Sequence, residues 1–392
     1  MKPVPPTRFH VALLLETSRE IGRGLLRGVQ RYARLHGPWG LHIIPGDLVQ
    51  TLPTMRAWGG TGIIARIATP RIARAILKTG LPVIAGPLSA SQLAPANPLS
   101  KLPEIRADGE AIGRMAAEHL LKRGLRHFAF VGGPYKDNWV ERRQKSFGQR
   151  IAEAGFDCAV YPSPPAAQQD WGREQKRLGR WLKAQPKPLG ILGALDARAR
   201  QVIEACMESG LRVPDEVAVI GVDNDALLCE LCDPPLSSVR LNAEKAGYEA
   251  AALLHQMMLG KKVKPRCIMI EPTHVVARQS TEVASTNDAK IAAALRFIQL
   301  GASRPLRVLD VAEHIGLSRR SLELRFRRAL GYTVLKAIRQ AQLERVRAFL
   351  IETDLPIQQI AAQCGFANGN YLGKIFRREC KETPQHFRLR NA

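Results

Sequence analysis

Apolar positions between residues 9 and 284 follow two alternating periods. Short runs rich in Val, Ile, Leu and Phe read as strands: FHVALLLE (9–16), WGLHIIPG (39–46), TGIIARI (61–67), LPVIAG (81–86), HFAFVGG (127–133), AVYPS (159–163), GILGAL (190–195), VAVIGVD (217–223) and CIMIEP (267–272). Between them, RGLLRGVQRYARL, GEAIGRMAAEHLLKRG, SFGQRIAEAG, DARARQVIEACMESG and AEKAGYEAAALLHQMMLG carry apolar residues at helical spacing, several closing on Gly. This alternation predicts an α/β fold in which parallel sheets are covered by helices on both faces, and its length predicts two such sheets.

The strand pattern ends near residue 283. ASTNDAK is polar and places an Asn-Asp cap signal ahead of IAAALRFIQLG, which sets a linker at 284–289 between an α/β region at 8–283 and an all-α domain at 290–390. About seven helical segments follow, broken at Gly301, Gly316, Gly331, Pro356, Gly365 and Pro384.

Two stretches of that domain share one layout: VLDVAEHIGLSRRSLELRFRRALG (308–331) and PIQQIAAQCGFANGNYLGKIFRRECK (356–381). In each, a short helix ends at Gly316 or Gly365, one apolar residue follows (Leu317 or Phe366), and a second helix presents Leu322 and Phe326, or Leu372 and Phe376, inward. That is a helix-turn-helix, at 308–330 and again at 357–380, with the glycine allowing the sharp turn and the second helix offered to a major groove. Ser318 is placed to cap its helix. Arg320 and Glu323 in the first unit, and Asn370, Tyr371 and Lys374 in the second, are candidates for base edges. Arg319, Arg327, Arg328, Arg377 and Arg378 read as phosphate contacts, which position without specifying.

Charge supports this assignment. The net charge is +23, and from residue 285 onward 19 Lys and Arg face 9 Asp and Glu, so the helical domain is the more basic part per residue. A surface this basic attracts polyanions, though it could also mean anionic lipid or an acidic partner; together with the two helix-turn-helix units it predicts double-stranded DNA. There is no run of eighteen apolar residues and no secretory apolar segment near the N-terminus, so a cytoplasmic protein without a membrane span is expected. Seven scattered cysteines argue against a disulfide framework. Cys229 and Cys232 form a lone CxxC, histidines are dispersed, and neither HExxH nor GxSxG occurs, so no metal, cofactor or enzymatic activity is expected. Gly22, Gly24 and Gly28 imitate a dinucleotide-binding turn, and an NAD(P)-binding oxidoreductase is the rival they raise. The spacing GxGxxxG, five residues past the strand, instead puts them inside the helix.

The helical domain resembles the DNA-binding domain of the AraC/XylS family, through Ile357-x-x-Ile360-Ala361-x-x-x-Gly365-Phe366, Tyr371, Phe376 and the closing Thr383-Pro384-x-x-Phe387-Arg388; Leu324 stands where many members carry Arg. The α/β region resembles the effector domain of the LacI/GalR family, itself similar to periplasmic sugar-binding proteins. The residues that carry this likeness are RGLLRGV in the first helix, EHLLKRGLRHFAFVGG (118–133), VPDEVAVIGVDN (213–224), PPLSSV (234–239) and ARQST (277–281). A sugar-binding transport component would share that fold but have no basic tail. The two parts in this order resemble the xylose-type sugar-operon regulators, which implies a cytoplasmic homodimer that activates sugar catabolism genes with RNA polymerase as a partner.

The resemblance also implies a monosaccharide, xylose or a related pentose, in a cleft between two lobes. Carried over by position, the residues that would hold it are Ser18 and Arg23 after the first strand, Arg143 after the 127–133 strand, Asp196 after GILGAL, and Asp223 and Asn224 after VAVIGV, with Trp139 as the stacking aromatic. They lie at or beyond strand carboxyl ends, where open α/β sheets bind ligands. Ile21 and Gly22 stand where the xylose-type regulators carry Tyr and Asp.

Overall fold

A computed structural model describes residues 8–43, 59–133, 138–163, 171–261, 263–264, 266–282 and 288–391. Most of the predicted linker therefore lies outside the described residues. The chain divides into two compact units. The first comprises residues 1–111, 136–142 and 241–272; the second comprises 112–135, 143–240 and 273–392.

The first unit is built on a six-stranded sheet of β1 (Phe9–Leu14), β2 (Trp39–Ile43), β3 (Gly62–Ala65), β4 (Val83–Ala85), β5 (Glu104–Ala107) and β11 (Cys267–Ile270), in the order β11-β5-β4-β3-β1-β2. Its ladders are parallel, with Val11 opposite Leu41 on one side and Gly62 on the other. Val11, Leu13, Ile64 and Ile84 pack on one face with helices α1 (Glu20–His36) and α8 (Ala243–Met258), and Ala12, Ile63 and Ala65 on the other with α2 (Pro70–Thr79). A Cβ on Gly28 would lie 1.9 Å from the carbonyl oxygen of Glu244, and one on Gly247 would lie 2.1 Å from that of Leu25. Two of the glycines that imitate a nucleotide turn, Gly24 and Gly28, instead let α1 approach α8 closely.

The second unit repeats the winding with β6 (His127–Val131), β7 (Cys158–Val160), β8 (Leu189–Gly193), β9 (Val217–Asp223), β10 (Ser237–Leu241) and β12 (Pro272–Val276), in the order β12-β10-β9-β8-β6-β7. Helix α3 (Gly109–Leu121) crosses from the first unit into the second, as does α4 (Asn138–Glu153). Helices α5 (Trp171–Ala184), α6 (Asp196–Glu208) and the short α7 (Ala226–Glu230) belong to the second. The α/β reading holds, but α2, α5, α7, β5, β10 and β12 were not among the predicted elements, and α4 starts eight residues earlier than its apolar pattern indicates.

Among the described residues, seven helices complete the second unit: α9 (Ala289–Leu300), α10 (Val308–Ile315), α11 (Arg319–Leu330), α12 (Val334–Glu352), α13 (Ile357–Gln363), α14 (Gly369–Cys380) and α15 (Pro384–Asn391). The long α12 serves two cores. Its first half gives Val334 and Ile338 to a cluster with Ile298, Val311, Leu322 and Phe326; its second half gives Leu343, Val346 and Leu350 to another with Ile360, Leu372, Phe376 and Phe387.

Candidate functional site

In the first unit, the carboxyl ends of β1 and β3 bring a carboxylate and two guanidinium groups together. Glu16 is buried just past β1; Arg66, one residue past β3, bonds its Oε1, and Arg19 approaches its Oε2 at 3.4 Å. A Cβ on Gly22 would strike the carbonyl oxygen of Glu16, so glycine there is what lets the chain turn tightly into α1. Ser18 is exposed in that turn. Arg23 is braced from its own side, with Nε 3.1 Å from Glu20 and Nη1 donating to the carbonyl of Thr17 at 3.1 Å. Trp139, on the first turn of α4, lines a pocket with Arg66, Leu88, Ser89, Arg106 and Arg142.

In the second unit, the ends of β8, β9 and β10 hold an acidic pair and an arginine. Asp196 is 2% exposed; its Oδ1 accepts from the Ser238 hydroxyl at 2.5 Å and its Oδ2 from the Asp225 amide at 2.7 Å. Burial, reinforced by the neighbouring Asp223, pushes the Asp196 carboxyl well above the usual carboxylate range. Arg143, also buried, donates Nη1 to the carbonyl of Ala194. Burial lowers its pKa to about 10, against the opposing pull of Asp223 and Asp196. Asp223 and Asn224 both adopt positive φ, 104° and 51°, which non-glycine residues rarely do and which tends to occur where function fixes the backbone. The Asn224 side-chain oxygen accepts from Arg278 at 3.1 Å and its amide donates to Ser238 at 3.0 Å. Asp196 and Asn224 are thus engaged in joining strand ends, and Arg143 lies within the electrostatic reach of both Asp223 and Asp196.

The reading helices α11 and α14 have the predicted geometry. Ser318 accepts from the amide of Ser321 at 3.2 Å, and Asn368 caps α14 by accepting from Tyr371 at 2.8 Å. Gly316 and Gly365 take positive φ at the turns, 64° and 71°. Leu322, Phe326, Leu372 and Phe376 are buried, and Arg319, Arg320, Arg327, Arg328, Asn370, Lys374, Arg377 and Arg378 are exposed on the opposite faces. Two base-edge candidates are more constrained. Glu323 is half-buried, with one carboxylate oxygen shielded and without a hydrogen-bond partner among the described residues. The Tyr371 hydroxyl accepts from Arg339 of α12 at 2.7 Å.

Within the second unit, the sheet meets the helical domain along a polar seam. Buried Arg123 donates Nε to the carbonyl of Thr281 at 2.7 Å and faces Glu344, Tyr332 and Glu282; the Tyr332 hydroxyl donates to the carbonyl of Lys122 at 3.4 Å. The His119 ring shares a 2.9 Å hydrogen bond with the Thr281 hydroxyl. Arg240, whose register partner on β9 is Asp223, pairs with Glu352 at the end of α12.

Comparisons with known proteins agree with this layout. A model described as periplasmic binding protein-like domain matches residues 117–281, and one described as helix-turn-helix domain matches 311–390. The xylose operon regulatory protein of Escherichia coli is 31% identical over 388 residues, 98% of each chain. That of Haemophilus influenzae is 31% identical over 383 residues, covering 97% of this chain and 98% of the relative. The chain belongs to the xylose operon regulatory protein family. Among solved structures, a xylose-binding transcription activator superposes with a TM-score of 0.63 at 30% identity, covering 99% of this chain and 100% of its own. As a member of the xylose operon regulator family, the chain is a helix-turn-helix transcription regulator with a periplasmic-binding-protein-like domain.

Glu16, Arg66, Arg106, Arg142, Ser238 and Arg278, which stand beside these candidates, were not among the residues the sequence pointed to. Arg66 directly follows β3, a strand end like the one Asp196 follows, but the resemblance did not point to it. Arg106 sits on β5, a four-residue strand with too little apolar content to stand out. Cys229 and Cys232 are buried free thiols, and burial holds the Cys232 thiol up at about 11.

Proposed function

We propose that this regulator switches operator engagement in response to a monosaccharide. The effector would be gripped by strand-end groups, chiefly Arg143, Asp223, Asp196, Asn224, Ser18 and Arg23, with Trp139 against the sugar ring. Hydroxyl-rich ligands pair well with carboxylates and guanidinium groups, and an aromatic face covers their apolar side. D-Xylose and related pentoses are the first sugars to test, because relatives matched along the whole chain carry xylose in their names. The observation that carries this reading is the fusion, in one compact unit, of a sheet bearing Asp223, with Arg143 on the adjoining helix α4, and two helix-turn-helix heads whose polar faces are basic and exposed.

The mechanism follows from linkage. A sugar that binds one conformation more tightly shifts the population toward it, and operator affinity follows only if that conformation presents the heads differently. The link is the seam around Arg123 and Arg240. In a homodimer, paired heads would occupy successive major grooves about 34 Å apart. Activation of sugar catabolism genes through contact with RNA polymerase, in the cytoplasm, completes the proposal. A thermal-shift panel of pentoses and hexoses on wild type and Asp223→Ala tests the sensor, paired with operator binding by fluorescence anisotropy. No stabilisation by any sugar would end the reading; an unchanged response in Asp223→Ala would remove that residue from the site.

A further inference from the structure

Helix α11 sets one large apolar side chain in the middle of its basic face. At about 100° per residue, Leu324 lies about 180° from the mean direction of the core residues Leu322 and Phe326, and Arg320, Arg327 and Arg328 lie within about 60° of it. All four are exposed, Leu324 at 71%. A single exposed leucine is ordinary on a protein surface. Leu324 differs in where it stands, at the crest of the face that the helix turns away from its own core, flanked by guanidinium groups. Arg325, the next residue, is committed elsewhere, its Nε 2.9 Å from the Asp288 carboxylate that caps α9.

The two heads make this position comparable. Helices α11 and α14 correspond residue for residue in one register: cap Ser318 with Asn368, Leu322 with Leu372, Phe326 with Phe376, Arg327 with Arg377 and terminal Gly331 with Lys381. On that register Arg320 matches Asn370, and Leu324 matches Lys374, an exposed cation at the crest of the second head. The heads share a frame and differ in the chemistry they present at its crest.

We propose that Leu324 is a specificity-determining residue of the first head, packing its side chain on the 5-methyl group of a thymine. In the major groove that methyl is an apolar handle, whereas a G·C pair presents donors and acceptors that a leucine would strip of water without pairing. Attraction to one base pair and a penalty on the other act in the same direction. Arg327 and Arg328, as phosphate contacts, would hold the crest against the groove. This inference rests on the DNA-reading role of α11 and adds a base preference to it.

The test begins with the full-length protein selecting its preferred duplex from a randomised pool, with and without D-xylose. Fluorescence anisotropy then compares that duplex with versions in which deoxyuridine replaces one thymine at a time, a change that removes only the methyl. At one thymine the replacement should weaken wild-type binding about fourfold, the scale of one methyl group buried. Leu324→Ala, which removes no buried side chain, should bind the thymine and deoxyuridine duplexes alike at that position and keep the wild-type response at the others. Leu324→Lys, which gives the first head the crest of the second, should shift selection at that base pair from A·T toward G·C. Wild-type indifference to every methyl would overturn the inference, as would a Leu324→Ala variant that keeps the same methyl response at every thymine. Uniform weakening of Leu324→Ala on all duplexes with the methyl response intact would also overturn it, reducing Leu324 to a support of the helix. Enrichment of no sequence from the pool would defeat the heads as sequence readers and this inference together.

Discussion

Replacing Arg123 with Met tests whether the seam both holds the second unit together and carries the sugar signal. The Arg123 guanidinium is buried, donates to Thr281 and to the His119 carbonyl, and is the cation facing Glu344 and Glu282. Met matches much of its apolar stem but leaves the Thr281 acceptor without this donor and removes a positive charge near Glu344 and Glu282. A charged hydrogen bond contributes about 1.5–3 kcal/mol, and leaving a buried partner unmatched adds to the loss, so a cost of about 2–4 kcal/mol is expected. For a unit of this size that lowers the melting midpoint by about 5–15 °C. Arg123→Lys, which keeps the charge and loses the fork, should fall between. Differential scanning calorimetry reads the stability, and operator anisotropy with and without effector reads the coupling. A midpoint within about a degree of wild type would show that the guanidinium does not hold the seam. A destabilised protein whose operator affinity still responds to effector by the wild-type factor would show that the signal travels elsewhere.

Acid should weaken the fold through His274, where burial drives the ring pKa from its ordinary 6.5 to about 3. Native His274 stays neutral while the unfolded chain takes up a proton below pH 6.5, so its contribution is complete above that pH and falls by up to about 1.4 kcal/mol per pH unit toward pH 3. His274→Gln should flatten the stability profile over that range, and an identical slope would refute the assignment. Arg320→Ala should cost about 1–3 kcal/mol at one operator position, whereas Arg327→Ala should weaken binding evenly across sequences; a competition assay on single-base operator variants separates the two. Lys381 closes α14 at φ 66°, where Gly331 closes α11 at φ 75°, so Lys381→Gly should stabilise the second head by about 1 kcal/mol, and a lower midpoint in urea would count against it.

The sequence was most legible where one physical cause dominates. Largely buried strands such as β1 and β9 are mostly apolar runs, and both recognition helices announce themselves through a cap, a turn glycine and two inward apolar residues. Elements that share their stabilisation with neighbours were harder to read. β10 is SSVRL, whose serines are buried because Ser237 and Ser238 bond Thr281 and Asp196, a polar core invisible to hydrophobic periodicity. α2 buries Ile72 and Ile76 amid arginines and a lysine, too thin a stripe to stand out. The candidate site was partly legible, since the resemblance to sugar-operon regulators pointed to Arg143, Asp196 and Asp223, all at or beyond strand ends. It could not see that Asp196 would be occupied by Ser238 and Asp225, or that arginines from three separate segments would converge on Trp139, because that meeting depends on the winding order of the sheet.

The seam between the sheet and the reading helices bears on how such regulators can be recombined. Leu295, Ile298 and Ala337 of the helical domain and Arg123 and Thr281 beside the sheet enclose one shared pocket, so their surfaces are shaped to each other. A chimera joined near residue 288 would graft the heads onto a foreign wall and expose apolar side chains this chain keeps covered. Cutting instead through the crossing helices α3 and α4, and carrying the whole second sheet along, would transplant sensor wall and DNA reader as one inheritable block.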